Sequence, residues 1–155
     1  MSRIVRARTE HVRAMATLMA TSPLLRRYRV TTRGAKASLA EALRERDLVI
    51  AAVDGGDVVG LAWVVITRVL DRAAYLRLLL VAETHQSRGL GAAMLARVER
   101  EARASRCRHL VLLVTKTNRR ARSFYERHGY AHVGDLPGFV RPGIAESLYM
   151  KSWRA

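Results

Sequence analysis

Apolar positions recur along this chain in two rhythms, one of two residues and one of three to four, and the switches between them outline its elements. Residues 4–7 read as a short strand, after which Thr9 stands where it caps a helix whose Val12, Met15, Ala16 and Met19 repeat at helical spacing. Pro23 ends that helix, and residues 38–46 carry Leu39, Ala42 and Leu43 on one face of a second. The β-branched runs 48–53 and 58–66 flank Asp54, Gly55, Gly56 and Asp57, whose glycines supply the positive φ of a tight hairpin. Residues 74–81 read as a strand, 89–105 as a long helix and 109–114 as a strand that is apolar from Leu110 on, and strand, helix, strand implies a parallel pair. A further helix over 118–128, a strand over 130–133 and, after a loop at 137–143, a strand over 145–153 complete the pattern. The order β-α-α-β-β-β-α-β-α-β-β predicts an α/β fold with one mixed sheet in a single domain spanning residues 1–155.

Composition narrows the class. No apolar run reaches the length of a membrane span, the N-terminus lacks an apolar signal core, and Cys107 alone allows no internal disulfide, so a cytoplasmic protein is expected. Cys107 itself, between the long helix and an apolar strand, reads as a small core residue. The five histidines show no paired ligand spacing, and no metal site is expected. The net charge of +15 is dominated by arginine and spread along the chain, which favours encounter with a polyanion. No aromatic residues interleave the basic clusters, which argues against a dedicated nucleic-acid partner.

The chemistry-bearing segment follows the strand at 74–81, where a basic loop with Gly89 and Gly91 opens the long helix. Helix-start N–H groups attract phosphate oxygens, and glycines let the backbone come close. A P-loop is absent, and the dinucleotide fingerprint fails: Met94 stands where its third small residue belongs, and Thr115, Lys116 and Thr117 where its acid belongs. The run Gln86, Ser87, Arg88, Gly89, Leu90, Gly91 instead resembles the Q/R-x-x-G-x-G/A acyl-CoA loop of the GNAT acetyltransferase superfamily. A second block, Asn118, Ala121, Phe124, Tyr125 and then His128, Gly129, Tyr130, is similar to that family's next helix and its ending.

The resemblance implies the GNAT fold, a mixed sheet of about seven strands with four helices whose parallel pair splays apart to admit a pantetheine arm. It implies acetyl-CoA as co-substrate, its pyrophosphate held by Ser87, Arg88, Gly89, Leu90, Gly91 and Ala92, and its pantetheine held by the backbone of Leu79, Leu80 and Val81 together with Asn118. Arg88, Lys116, Arg119 and Arg120 are further candidates for the coenzyme phosphates. Tyr125 lies seven residues after Asn118, on the same helix face, and takes the role of general acid. A departing thiolate of pKa about 8.5 and a phenol of about 10 make that proton transfer feasible once positioned.

A general base is missing from the expected places. Protein-lysine acetyltransferases of the superfamily carry Glu on the strand before the loop, where this chain has Tyr75, Leu76, Arg77, Leu78 and Leu79. N-terminal acetyltransferases carry Glu five residues before the motif Asn, where this chain has Leu113. Glu83 and His85 lie near the loop with no feature that selects either, and proximity to a bound thioester with a base acting through water is an alternative. The expected activity is direct acetyl transfer to a primary amine, with a small-molecule acceptor favoured over a protein lysine or N-terminus. A basic RNA-associated acyl-CoA-binding protein, or a tRNA-directed toxin, is the reading of another class. An edge strand in the C-terminal half, especially 147–153, is a place where two copies could pair across a two-fold axis, and a possible homodimer is read from it without being required.

Overall fold

The computed structural model describes residues 1–154 and contains seven strands: β1 Arg3–Arg6, β2 Leu48–Asp54, β3 Asp57–Ile66, β4 Ala74–Val81, β5 His109–Thr115, β6 Ala131–Leu136 and β7 Glu146–Ser152. The α-helices are α1 Val12–Thr21, α2 Thr32–Arg44, α3 Leu90–Ala104 and α4 Arg119–Arg127. The strands form one mixed sheet in the order β1-β2-β3-β4-β5-β7-β6. In it β4 and β5 are the parallel pair, joined through α3, and their register runs from Ala74 opposite Leu110 to Leu76 opposite Leu112. The expected order of elements and the GNAT-type architecture are both present.

By chain contacts the residues group into two compact units, residues 1–65 with 78–101 and residues 66–77 with 102–154. In the first, α1 and α2 bury Met15, Ala16, Met19, Ala35, Leu39 and Ala42 against Val49, Ala51, Leu61, Trp63 and Leu80 of the strands. Burying a leucine side chain completely contributes about 2 kcal/mol, and Leu39 and Leu61 are both fully buried. Trp63 spends its one donor on Asp47 Oδ2 at 2.8 Å, so the indole enters the core satisfied. The opposite face carries Ile50, Ala52, Gly60, Ala62 and Val64. A Cβ on Gly60 would stand 2.9 Å from Met94 Sδ and 3.2 Å from the Leu80 carbonyl oxygen, so α3 seats its Met94 where only glycine fits.

In the second unit β7 is paired on both sides, with β5 from His109 opposite Ser152 to Thr115 opposite Glu146, and with β6 from Ala131 opposite Met150 to Leu136 opposite Glu146. Tyr149 is fully buried; its hydroxyl donates to Glu126 Oε1 at 2.7 Å and accepts from Arg122 Nε at 3.0 Å, which ties α4 to the sheet. Asp135 accepts from Ser147 Oγ at 2.7 Å, with His132 and Lys116 beside it, and these bonds hold its carboxyl far below the usual range.

Three local expectations change. The strand at 147–153 is not an edge: β7 slots between β5 and β6, because a chain returning after β6 pairs on the side of β5 that β4 leaves open, and the sheet edges are β1 and β6. α2 begins at Thr32, well before residue 38, because Thr31 Oγ1 accepts from the Gly34 N–H at 3.0 Å and Ala35 extends the buried stripe one turn upstream of Leu39. Thr9 does not cap α1; it opens a 3-10 turn over Thr9–His11, where the Arg8 N–H donates to His11 Nδ1 at 2.9 Å. The hairpin after β2 is as expected, with Gly55 and Gly56 at φ +57° and +89°.

Candidate functional site

In the first unit, β4 ends at Val81 and the Ala82 N–H donates to the Val59 carbonyl at 2.8 Å. That bond turns Ala82 toward β3, and by the two-residue alternation of a strand Leu80 turns the same way. Leu80 also buries its side chain in the core. Leu79 and Val81 therefore direct their main-chain groups away from β3. The Val81 carbonyl already accepts from Gln86 Nε2 at 3.0 Å, so the first residue of the loop motif clamps the loop to the strand it leaves.

A 3-10 turn over Glu83–His85 follows. His85 Nε2 lies 2.8 Å from Asp54 Oδ2 and its Nδ1 lies 2.8 Å from Thr84 Oγ1, so both ring nitrogens are engaged and the turn is fixed to the end of β2. The His85 hydrogen bond, helped by the N-terminal ammonium, lowers the Asp54 carboxyl below its ordinary value. This is an anchoring arrangement, and Glu83 lies on the same turn without entering it.

The backbone then takes two left-handed steps, Ser87 at φ +62° and Gly89 at φ +78°. A Cβ on Gly89 would meet nothing within 4 Å, so the requirement for glycine comes from the backbone angle and not from crowding. The first bond of α3 runs from the Ala93 N–H to the Gly89 carbonyl at 3.0 Å. Leu90, Gly91 and Ala92 thus carry the N–H groups that a helix start leaves without intrahelical partners, at the positive end of a 15-residue helix, with Arg88 just upstream of Gly89. Such a turn can bind the oxygens of an anion.

The second unit holds the other expected residues. Asn118 caps α4, its Oδ1 accepting from the Ala121 N–H at 3.1 Å, while its own N–H donates to the Thr115 carbonyl at 2.8 Å. Tyr125, two turns along, is 8% exposed and packs edge-on against Phe124 and Tyr130 at 5.1 Å and 5.6 Å between ring centres. Its hydroxyl makes no hydrogen bond to the described residues, in contrast to Tyr149, and burial pushes the phenol well above its ordinary value of 10.0. The group therefore stays protonated through the physiological range and can only donate. Gly129, at φ +89°, ends α4, and Lys151 Nζ donates to the His128 carbonyl there at 2.9 Å. Lys116, Arg119 and Arg120 lie between the end of β5 and the first turn of α4, and Cys107 is buried, which raises its thiol.

One carboxylate escaped the sequence reading. Glu146, first residue of β7, is 3% exposed. Its signal was present: in Ile144, Ala145, Glu146, Ser147, Leu148, Tyr149 a charged residue occupies a run otherwise suited to burial on both faces.

Residues 14–130 match the Acetyltransferase (GNAT) family. No curated protein matches the sequence. Among solved structures, the chain is similar to a ribosomal-protein-alanine N-acetyltransferase from Brucella melitensis, with a TM-score of 0.81 and 18% identity over 97% of this chain and 99% of that one. It is similar to an acetyltransferase from Salmonella typhimurium solved with its cofactor acetyl-CoA, with a TM-score of 0.81 and 17% identity over 100% and 95% of the two chains. An aminoglycoside 6'-acetyltransferase type Ii gives a TM-score of 0.80 and 17% identity over 97% and 96%. At these identities the likeness is one of fold.

Proposed function

The chain belongs to the GNAT acetyltransferase family, and from that premise we propose that it transfers the acetyl group of acetyl-CoA directly to a primary amine. The observation that carries the reading is the turn at Ser87 and Gly89, which presents the N–H groups of Leu90, Gly91 and Ala92 at the head of α3. In this reading they hold the coenzyme pyrophosphate with Ser87 and Arg88, each charge-assisted bond being worth about 1.5–3 kcal/mol. The pantetheine amides run along Leu79, Leu80 and Val81, where the main-chain groups of Leu79 and the N–H of Val81 turn away from β3 while the Val81 carbonyl holds Gln86, and Asn118 contacts the same arm.

Tyr125 supplies the proton. The amine nitrogen attacks the thioester carbonyl carbon, the C–S bond breaks, and the thiolate takes the phenol proton. Burial weakens the phenol as an acid, but the same environment raises the basicity of a thiolate formed beside it, so the transfer is governed by the difference between the two groups. Because both carboxylate positions used for protein acceptors are occupied by other residues, Leu113 and the run from Tyr75 to Leu79, a small-molecule amine is the favoured acceptor. Calorimetric titration with acetyl-CoA, followed by thiol release across a set of primary amines, tests the reading. A folded protein that takes up no acetyl-CoA refutes it.

A further inference from the structure

The left-handed step at Ser87 is one that the residue does not favour by itself. Ser87 stands at φ +62°, where the Cβ of an L-residue crowds the following carbonyl, and Gly89 follows at φ +78°. Such a step persists only where its surroundings over-determine it. Three ties precede it, all within the first unit. The Ala82 N–H donates to the Val59 carbonyl at 2.8 Å, and Gln86 Nε2 donates to the Val81 carbonyl at 3.0 Å, so both fasten the segment to strands beside it. The third reaches the β2–β3 hairpin: His85 Nε2 lies 2.8 Å from Oδ2 of Asp54, the last residue of β2 and 31 positions earlier. A carboxylate can only accept, so the neutral ring carries its proton on Nε2, and Nδ1, 2.8 Å from Thr84 Oγ1, accepts from that hydroxyl. These two bonds fix the rotation of the ring. The His85 N–H, donating to the Ala82 carbonyl at 2.9 Å, fixes the backbone that carries it. Only Gln86 separates His85 from Ser87.

We propose that Asp54 is a positioning residue for the coenzyme: through His85 it fixes the turn from which Ser87 and Gly89 aim the N–H groups of Leu90, Gly91 and Ala92. The inference rests on the acetyl-transfer reading above. A loop released from the hairpin samples other backbone conformations, and the cost of ordering it is then added to every binding event. The charge of Asp54 acts in the other direction. Coenzyme A is a polyanion, and a carboxylate beside its loop repels it. Positioning and bare electrostatics therefore predict changes of opposite sign when that carboxylate is removed. Asp57, which stands opposite Asp54 across the hairpin and is exposed, carries the same charge without the bond to His85.

The test is calorimetric titration with acetyl-CoA of wild type, Asp54→Ala, Asp54→Asn, His85→Ala, the Asp54→Ala/His85→Ala double variant and Asp57→Ala, with denaturant unfolding to establish that each is folded. Loss of the tie weakens acetyl-CoA binding by about tenfold in Asp54→Ala and in His85→Ala, and the double variant loses no more than either. Asp54→Asn keeps an oxygen that accepts from Nε2 and binds within about threefold of wild type, a rescue that a general loss of stability does not produce. Asp57→Ala binds acetyl-CoA as wild type does or more tightly. Should Asp54→Ala fail to fold, His85→Ala against His85→Gln decides, since the glutamine amide retains a donor toward Asp54 and restores affinity. Binding by Asp54→Ala that equals or exceeds wild type overturns the proposal and leaves acetyl transfer standing. So do additive losses in the double variant, or equal losses in the alanine and amide variants. Absence of acetyl-CoA binding in the wild type overturns both.

Discussion

Replacing Gly89 with alanine separates the backbone requirement of the loop from every other effect. The residue sits at φ +78°, and an added Cβ meets no neighbour within 4 Å, so no contact is strained and the full penalty is conformational. For an L-residue held in the left-handed region that penalty is about 1–2 kcal/mol. A domain stable by roughly 5–15 kcal/mol remains folded under such a load. The loop has a cheaper option, which is to relax out of the left-handed turn and redirect the N–H groups of Leu90, Gly91 and Ala92. Losing one charge-assisted bond to the coenzyme, about 1.5–3 kcal/mol, weakens acetyl-CoA binding by roughly tenfold to a hundredfold. Gly143 provides the control, since it has φ +79° and an equally open Cβ position, in the loop before β7. Gly143→Ala carries the same conformational cost and leaves coenzyme affinity unchanged. Calorimetric titration with acetyl-CoA, alongside denaturant unfolding of both variants, measures the two quantities. If Gly89→Ala binds acetyl-CoA as tightly as wild type, or if both variants lose affinity alike, the loop does not hold the pyrophosphate in the way argued.

Tyr125→Phe removes the proton donor from a packed site, so kcat falls by about 10²–10⁴ with acetyl-CoA affinity preserved, and equal losses in both would contradict its role. The raised phenol pKa also has a stability consequence: the unfolded chain ionises near pH 10 while the folded one does not, so the contribution of Tyr125 is fully present below that pH and is lost above it. The phenylalanine variant, followed by thermal unfolding between pH 8 and 11, loses part of that alkaline decline, the remainder belonging to Tyr75 and Tyr149, whose phenols are raised as well. Gly60→Ala places a methyl 2.9 Å from Met94 Sδ and 3.2 Å from a backbone oxygen, an overpacking cost of about 1–3 kcal/mol. Met94→Ala combined with it recovers only the share due to the flexible thioether, and a double-mutant cycle with no coupling would show that the contact is not the cause.

Much of the fold follows from information carried within a few residues. The turn glycines Gly55 and Gly56, the strand at 74–81 and the helical repeat from Leu90 are each set by local φ preferences and by which face their own apolar residues fill, and these stand in the structure where the pattern puts them. The same holds for the spacing of Asn118 and Tyr125, since seven residues is two turns of any α-helix. Even the left-handed step at Gly89 is announced by its residue type. Where local signals compete, the pattern alone misleads: Gly34 is a poor helix former upstream of Leu39, and only the burial of Ala35 shows that the helix extends through it.

Tertiary structure decided what depends on partners distant along the chain. Nothing within 145–153 states that β7 enters between β5 and β6, because an alternating strand is equally suited to an edge or an interior place until another strand claims its second row of hydrogen bonds. That insertion buries Glu146 and, through registers that run from Tyr75 to Val111 and from Thr115 to Glu146, puts a β4 phenol and a β7 carboxylate on one face although 71 positions separate them. Local propensity specifies which residues become strands and helices. Register between strands arises from packing over the whole sheet, and a charge acquires its chemistry from what that packing excludes and what it brings alongside.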